Sequence, residues 1–193
     1  MLAKPGPIPV TDAWLFEPKM DGFRCLVCTH GRLLARSRRG WDMTALLPEL
    51  RGLAGNVQLD GEIVALDENG LPDFHRLSAR LLHKRDGIEV TYFVFDVLAV
   101  EGLRTTMLPY QERRLLLETL QLEGPGVKLV ATFEDGQALF DAVCARGLEG
   151  VVAKRLRDAY KPGERTWVKT KNRATARFAE ERARARSAAR ARV

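Results

Sequence analysis

The run at residues 90–98, Val-Thr-Tyr-Phe-Val-Phe-Asp-Val-Leu, is dense in β-branched and aromatic side chains and reads as a central strand. A strand in that position needs backbone partners along both edges, and the rest of the chain offers them. Residues 23–27 and 33–37 flank a turn at Thr29-His30-Gly31 and read as a hairpin. Residues 56–66 alternate well enough for another strand, followed by a turn with Asn69-Gly70 at its centre. Shorter strands are expected at 127–131, 150–154 and 166–171. Helices are expected at 42–53, capped by Asp42, and at 74–82, 109–120 and 135–146. Pro109 suits a first helical turn, where its missing N–H costs nothing. Residues 1–13 hold several prolines and glycines and read as a lead-in segment. Many strands and few helices, in mixed order, predict an α+β domain of packed antiparallel sheets flanked by helices.

A chain of 193 residues can bury a full core. No apolar run is long enough to span a bilayer, and the N-terminus lacks the charged-then-apolar pattern of a secretory signal, so a cytoplasmic location is expected. An odd set of three cysteines, Cys25, Cys28 and Cys144, argues against a disulfide framework. Cys25 and Cys28 have zinc-knuckle spacing, but no second pair exists, and on a strand they point to opposite faces. They read as packing residues ahead of zinc ligands. The net charge of +6 is uneven: residues 172–193 hold seven arginines against two glutamates, a net +5. A basic, helix-prone tail on a near-neutral body suggests attraction to a phosphate backbone, although a solvated helix would have the same composition.

One stretch concentrates chemistry: Glu17-Pro18-Lys19-Met20-Asp21-Gly22-Phe23-Arg24. Apolar residues flank it, and Asp21-Gly22 breaks the strand with a turn. A lysine at such an edge is a candidate nucleophile, and a surface lysine on a hairpin would have the same sequence. The stretch resembles the Lys-x-Asp-Gly signature of ATP-dependent DNA ligases, RNA ligases and mRNA-capping enzymes, and Arg24 gives it the DNA-ligase form. Ser37-Arg38-Arg39-Gly40, Leu59-Asp60-Gly61-Glu62-Ile63, Tyr92-Phe93-Val94-Phe95-Asp96, Leu148 to Lys154 and Trp167-Val168-Lys169-Thr170-Lys171 resemble the further motifs of the same superfamily, in its order. The resemblance spans residues 14–171 and points to the bacterial ligases of repair and end joining.

The resemblance implies an ATP-grasp-like nucleotidyltransferase domain over residues 1–171, followed by the basic tail at 172–193. It implies ATP and Mg2+ as cofactors and nicked double-stranded DNA as substrate. Lys19 is the implied nucleophile, forming a lysyl-AMP. Lys169 and Lys171 alternate along a strand, so both can face one pocket. There they would help Lys19 shed its proton and would neutralise the α-phosphate. Glu62 and Glu149 are the implied metal ligands, since magnesium favours hard carboxylate oxygens, and Glu62 also approaches the ribose. Phe95 is assigned to stack on adenine, Glu17 to the adenine amino group, and Arg24 to the ribose and later the nick. Arg38 is assigned to the nick 5′-phosphate, which its planar fork suits. Asp21 and Asp60 read as structural, holding turns or the lysines.

Full ligases of this family continue into an OB-fold, a five-stranded barrel, which the 22 residues after Lys171 cannot make. Three alternatives follow: a minimal ligase that clamps DNA with its arginines, a chain that draws the missing domain from a partner, or a binding module with little turnover. An RNA ligase or capping-type transferase is the competing enzyme, opposed by Arg24 and the ligase-type last motif.

Overall fold

The computed structural model describes residues 1–175, 178–179 and 182–183. The chain folds into two compact units, neither of them continuous in sequence. One is built from Met1–Lys19, Thr132–Lys154 and Gly163–Val193, the other from Met20–Ala131 and Arg155–Pro162. Most of the basic tail anticipated at 172–193 lies outside the described residues.

The first unit is a four-stranded sheet. Its strands are β1 (Ala3–Pro5) and β2 (Trp14–Pro18), with β9 (Gly150–Arg155) and β10 (Trp167–Lys171), in the order β1-β10-β9-β2. Residues 1–13 are therefore more than a lead-in. Proline at the end of β1 is tolerated because β1 is an edge strand, and Ala3 pairs in parallel with Trp167. Helix α3 (Gly136–Ala145) covers this sheet, with the Asp135 side chain accepting from the N–H groups of Gln137 and Ala138. Its Leu139 and Val143 pack with Trp14, Phe16, Val151, Ala153 and Val168. Gly136 lets the helix approach the Phe16 ring, which a Cβ would strike.

The second unit holds a six-stranded sheet. Its strands are β3 (Phe23–Cys28), β4 (Leu34–Ser37), β5 (Val57–Val64), β6 (Thr91–Val100), β7 (Leu103–Arg104) and β8 (Val127–Leu129). The order is β4-β3-β5-β6-β7, with β8 paired to β6. The run at 90–98 is indeed interior. Helix α1 (Phe74–Leu82) starts on an Asp73 cap, and α2 (Tyr110–Thr119) follows Pro109. The core joins Val27, Leu59, Ile63, Tyr92, Val94 and Val97 to Leu77, Leu81 and Leu117 of the helices.

Three further expectations are corrected. The sheets are mixed, because β1–β10 and β6–β8 are parallel pairs. The helix expected at 42–53 is two 3₁₀ segments, Thr44–Leu46 and Pro48–Gly52; Pro48 cannot donate its N–H and disfavours an α-helical residue before it. The turn after β5 closes from Gly70 N–H to the Asp67 carbonyl at 3.0 Å, so Glu68-Asn69 is its centre. Strand β6 is not regular. Its register against β5 skips Leu98 and then Phe95, which stands as the extra residue of a bulge.

Cys25 is a packing residue of this core, and Cys28 is half-buried. Cys25 is fully buried, and burial, followed by the charges of Asp60 and Glu62, pushes its thiol up to about 12. Among the described residues no helix is long and apolar enough to cross a membrane.

Gly61 sits where a Cβ would lie 2.5 Å from the Tyr92 ring and 2.6 Å from the Phe93 carbonyl. Gly61→Ala should lower the unfolding free energy by about 1–3 kcal/mol through overpacking. Gly52→Ala, with open space around it, should change it by less than about 0.5 kcal/mol. Urea unfolding of the two variants checks both.

Candidate functional site

In the first unit, Lys19 follows the end of β2. Its N–H donates to the Gly150 carbonyl at 2.8 Å, which ties it to the start of β9. Its Nζ lies 2.6 Å from Glu149 Oε2, while Lys171 Nζ lies 3.0 Å from Glu149 Oε1. One buried carboxylate thus carries two ammonium groups. The backbone explains the convergence. Gly150 pairs with Lys171 across β9 and β10, and the Asn172 N–H donates to the Glu149 carbonyl at 2.9 Å. Gly150 has a φ of 150°, and a Cβ there would strike the Thr170 carbonyl, so only glycine lets β10 come this close. Lys169 stands two residues before Lys171, opposite Val152 and half-buried.

A second ion pair in this unit is deeper. Lys154 Nζ lies 2.7 Å from Glu17 Oε1, with both residues nearly excluded from solvent, and 4.5 Å from the centroid of the Trp167 ring. An ammonium is kept inside only where a carboxylate or an aromatic face replaces water, and here it has both.

In the second unit, Arg24 on β3 forms a bidentate pair with Asp60 on β5, the Nε–Oδ1 contact being 2.9 Å. The Tyr160 hydroxyl donates to Asp60 Oδ2 at 2.7 Å and accepts from Arg24 Nη2 at 3.2 Å. The Arg24 guanidinium stands 5.6 Å from the centre of the Phe95 ring, the residue that the β6 bulge re-aims. Glu62 is the register partner of Arg24 across the two strands. Burial works to lower the Arg24 pKa, but the hydrogen bond and charge of Asp60 outweigh it, and the net shift is upward, so the group stays cationic. Burial, with Asp60 next, holds the Tyr160 hydroxyl above its ordinary value and hence protonated. Asp60, expected to hold a turn or the lysines, holds an arginine and a tyrosine instead.

Tyr160 is delivered by a strap. Asp96 on β6 forms a bidentate pair with Arg113 on α2, at 2.7 and 2.9 Å, both side chains fully buried. Arg113 also donates to the carbonyls of Leu108 and Asp158. The Tyr160 N–H donates to the Thr106 carbonyl, and Gln111 N–H to that of Leu156. Residues 155–162 are fixed at both ends by these bonds.

Arg38 is exposed on the turn after β4, closed by Gly40 N–H to the Ser37 carbonyl at 2.9 Å. It stands outside the Arg24–Asp60–Tyr160 cluster. Among the described residues no three His, Cys, Asp or Glu side chains converge as a metal cage.

Sequence reasoning named Lys19, Glu149 and Lys171, which the structure brings together, and Arg24 and Phe95, which it stacks. It gave no role to Lys154, Tyr160 or the Asp96–Arg113 pair. A lysine closing the apolar run Gly150-Val151-Val152-Ala153 was the one available signal, since an ammonium inside a buried strand implies a partner. Nothing in the sequence marks Tyr160, which meets Asp60 from 100 residues away.

Residues 1–171 match the profile of the ATP dependent DNA ligase domain. The chain is 40% identical over 182 residues to the multifunctional non-homologous end joining DNA repair protein LigD of Mycobacterium tuberculosis, covering 89% of this chain and 24% of that protein. The solved ligase domain from M. tuberculosis LigD aligns with a TM-score of 0.77 at 38% identity, over 88% of this chain and 59% of that one. A mycobacterial DNA ligase D complexed with ATP and MES aligns with a TM-score of 0.74 at 38% identity, over 88% and 58% of the two chains. The chain thus spans about a quarter of the length of the mycobacterial LigD proteins it matches.

Arg113→Met would strand the buried Asp96 carboxylate and should cost about 3–5 kcal/mol of stability. Tyr160→Phe removes both hydrogen bonds of the hydroxyl and should cost about 1–3 kcal/mol. Both are read from denaturant midpoints.

Proposed function

The chain belongs to the ATP-dependent DNA ligase family, and on that premise we propose that it carries out the nucleotide transfers of DNA strand joining. The observation that carries this reading is the Lys19–Glu149–Lys171 cluster. Lys19 Nζ attacks the α-phosphorus of ATP, the bond to the β-phosphate oxygen breaks, and pyrophosphate leaves. The amine must first give up a proton, and Glu149 Oε2 is an acceptor at 2.6 Å. Lys171, with Lys169 on the same strand, neutralises the charge that develops on the phosphate oxygens. The phosphoramide then passes AMP to the 5′-phosphate of a nick, and attack by the 3′-hydroxyl closes the strand and releases AMP. This chemistry depends chiefly on positioning and charge neutralisation.

In the other unit, the Phe95 face suits the adenine ring. Arg24 and Glu62 suit the ribose, and Arg24, later in the cycle, suits the nick. Glu17 accepts from the adenine amino group, and Arg38 takes the 5′-phosphate. Magnesium takes one or two protein carboxylates, with phosphates and water completing its shell. A donor set of separate glutamates, without a three-ligand cage among the described residues, fits that habit. Glu149 and Glu62 would each offer oxygens, and the ion would supply positive charge to the phosphates. An OB-fold from outside residues 1–171, on the same polypeptide or on a partner chain, would orient the pyrophosphate and grip DNA.

Incubation with α-labelled ATP and magnesium should give an acid-labile label on the protein, absent in Lys19→Ala and slowed about 10²–10³-fold in Glu149→Gln. Label persisting in Lys19→Ala would overturn the assignment of the nucleophile. The seven arginines of residues 172–193 are proposed to neutralise DNA phosphates. Deleting residues 174–193 should flatten the dependence of log affinity for nicked duplex on log salt, by about 0.9 for each phosphate no longer neutralised. An unchanged slope would remove the tail from the reading.

A further inference from the structure

We propose that Lys154 is a specificity-determining residue: by holding Glu17 ionised, it makes the site select a nucleotide whose base presents an amino group. This rests on the nucleotide-transfer reading above and concerns a residue to which that reading gives no part.

Glu17 lies on β2 two residues before Lys19, with its side chain on the face of the strand opposite Phe16. Phe16, whose side chain faces the other way, turns instead onto α3. Glu17 is 3% exposed and Lys154 1% exposed, and their contact is 2.7 Å. The Trp167 ring covers the ammonium from another side. The reading above gives the Glu17 carboxylate to the adenine amino group. Its use to a nucleotide is to accept a hydrogen bond from the nucleoside.

The charge state decides which nucleoside. An ionised carboxylate only accepts. It welcomes the exocyclic amine of adenine, and it repels the carbonyl oxygen that hypoxanthine or guanine carries at the same position. A carboxylate left buried without its cation takes up a proton and becomes an O–H donor as well. It then accommodates the carbonyl. Lys154 therefore sets the sign of the discrimination without touching the base. Leaving a charged acceptor facing an acceptor is costly enough to produce strong selectivity, as elsewhere when a buried polar group loses its complement.

The test compares covalent labelling of the full chain with ATP, ITP and dATP, as kcat/KM, in the unsubstituted protein, Lys154→Met, Lys154→Arg and Glu17→Gln. Methionine keeps the volume of lysine without its charge. Glu17→Gln reports independently if Lys154→Met does not fold. The unsubstituted protein should prefer ATP to ITP by more than about tenfold. That ratio should fall about tenfold or more in Lys154→Met and in Glu17→Gln and be retained in Lys154→Arg, while the ATP-to-dATP ratio stays fixed. A parallel loss on ATP and ITP, or a shift in the dATP ratio instead, overturns the proposal. Absence of label on the unsubstituted protein with every nucleotide overturns the functional reading and this proposal together. Label with an unmoved ATP-to-ITP ratio overturns this proposal alone.

Discussion

A single carboxylate shared by two ammonium groups is the interaction around which the four-stranded unit is arranged. Glu149 sits immediately before β9, Lys19 immediately after β2, and Lys171 at the end of β10. Each is fixed by a main-chain bond to a neighbouring strand before its side chain is considered. The cluster carries a net positive charge, and it is partly open to water, with Lys19 exposing about a quarter of its side chain. Such a group is of modest worth as a stabilising contact. What distinguishes it is electrostatic and fixed in advance: two ammonium groups are held on one carboxylate, as the proposed transfer from a polyanion would need.

The buried pairs have a different character. Glu17–Lys154 and Asp96–Arg113 are out of water on both sides. Desolvation offsets much of their attraction, so well-packed apolar residues could replace them at little loss of stability. What apolar residues could not supply is direction. Arg113 orients a strap by donating to two carbonyls, and Lys154 fixes a carboxylate two residues from Lys19. Arg24 is intermediate, anchored by Asp60 and Tyr160 and laid over Phe95.

The sequence made α1 legible to the residue, because Asp73 caps it and its apolar spacing is helical. It also made β5 and β6 legible through their composition. It concealed what depends on distant partners. Strand β1 looked like a linker because three residues with a proline have no intrinsic strand signal; only β10 makes them a strand. The bulge at Phe95 is a property of the β5–β6 register and leaves no mark in alternation. The residues named for the candidate site were found through their resemblance to a set of motifs, and those missed, Tyr160 and Arg113, act on other side chains across long separations. Lys154 lay inside a recognised motif, yet its partner Glu17 could be identified only once β2 and β9 were side by side.

The interleaved chain path has a consequence for how the protein comes into being. Lys19 and Glu149 are 130 residues apart, and the sheet that joins them places β1 against β10. During synthesis the first two strands leave the ribosome long before β9 and β10 exist to pair with them. The six-stranded unit can take shape from an almost unbroken stretch, but β1 and β2 must wait with open edges, exposed to wrong partners. Lys171 thus joins Lys19 and Glu149 only after Trp167–Lys171 has been translated. A truncated product ending before that strand would have Lys19 and Glu149 without the second ammonium group.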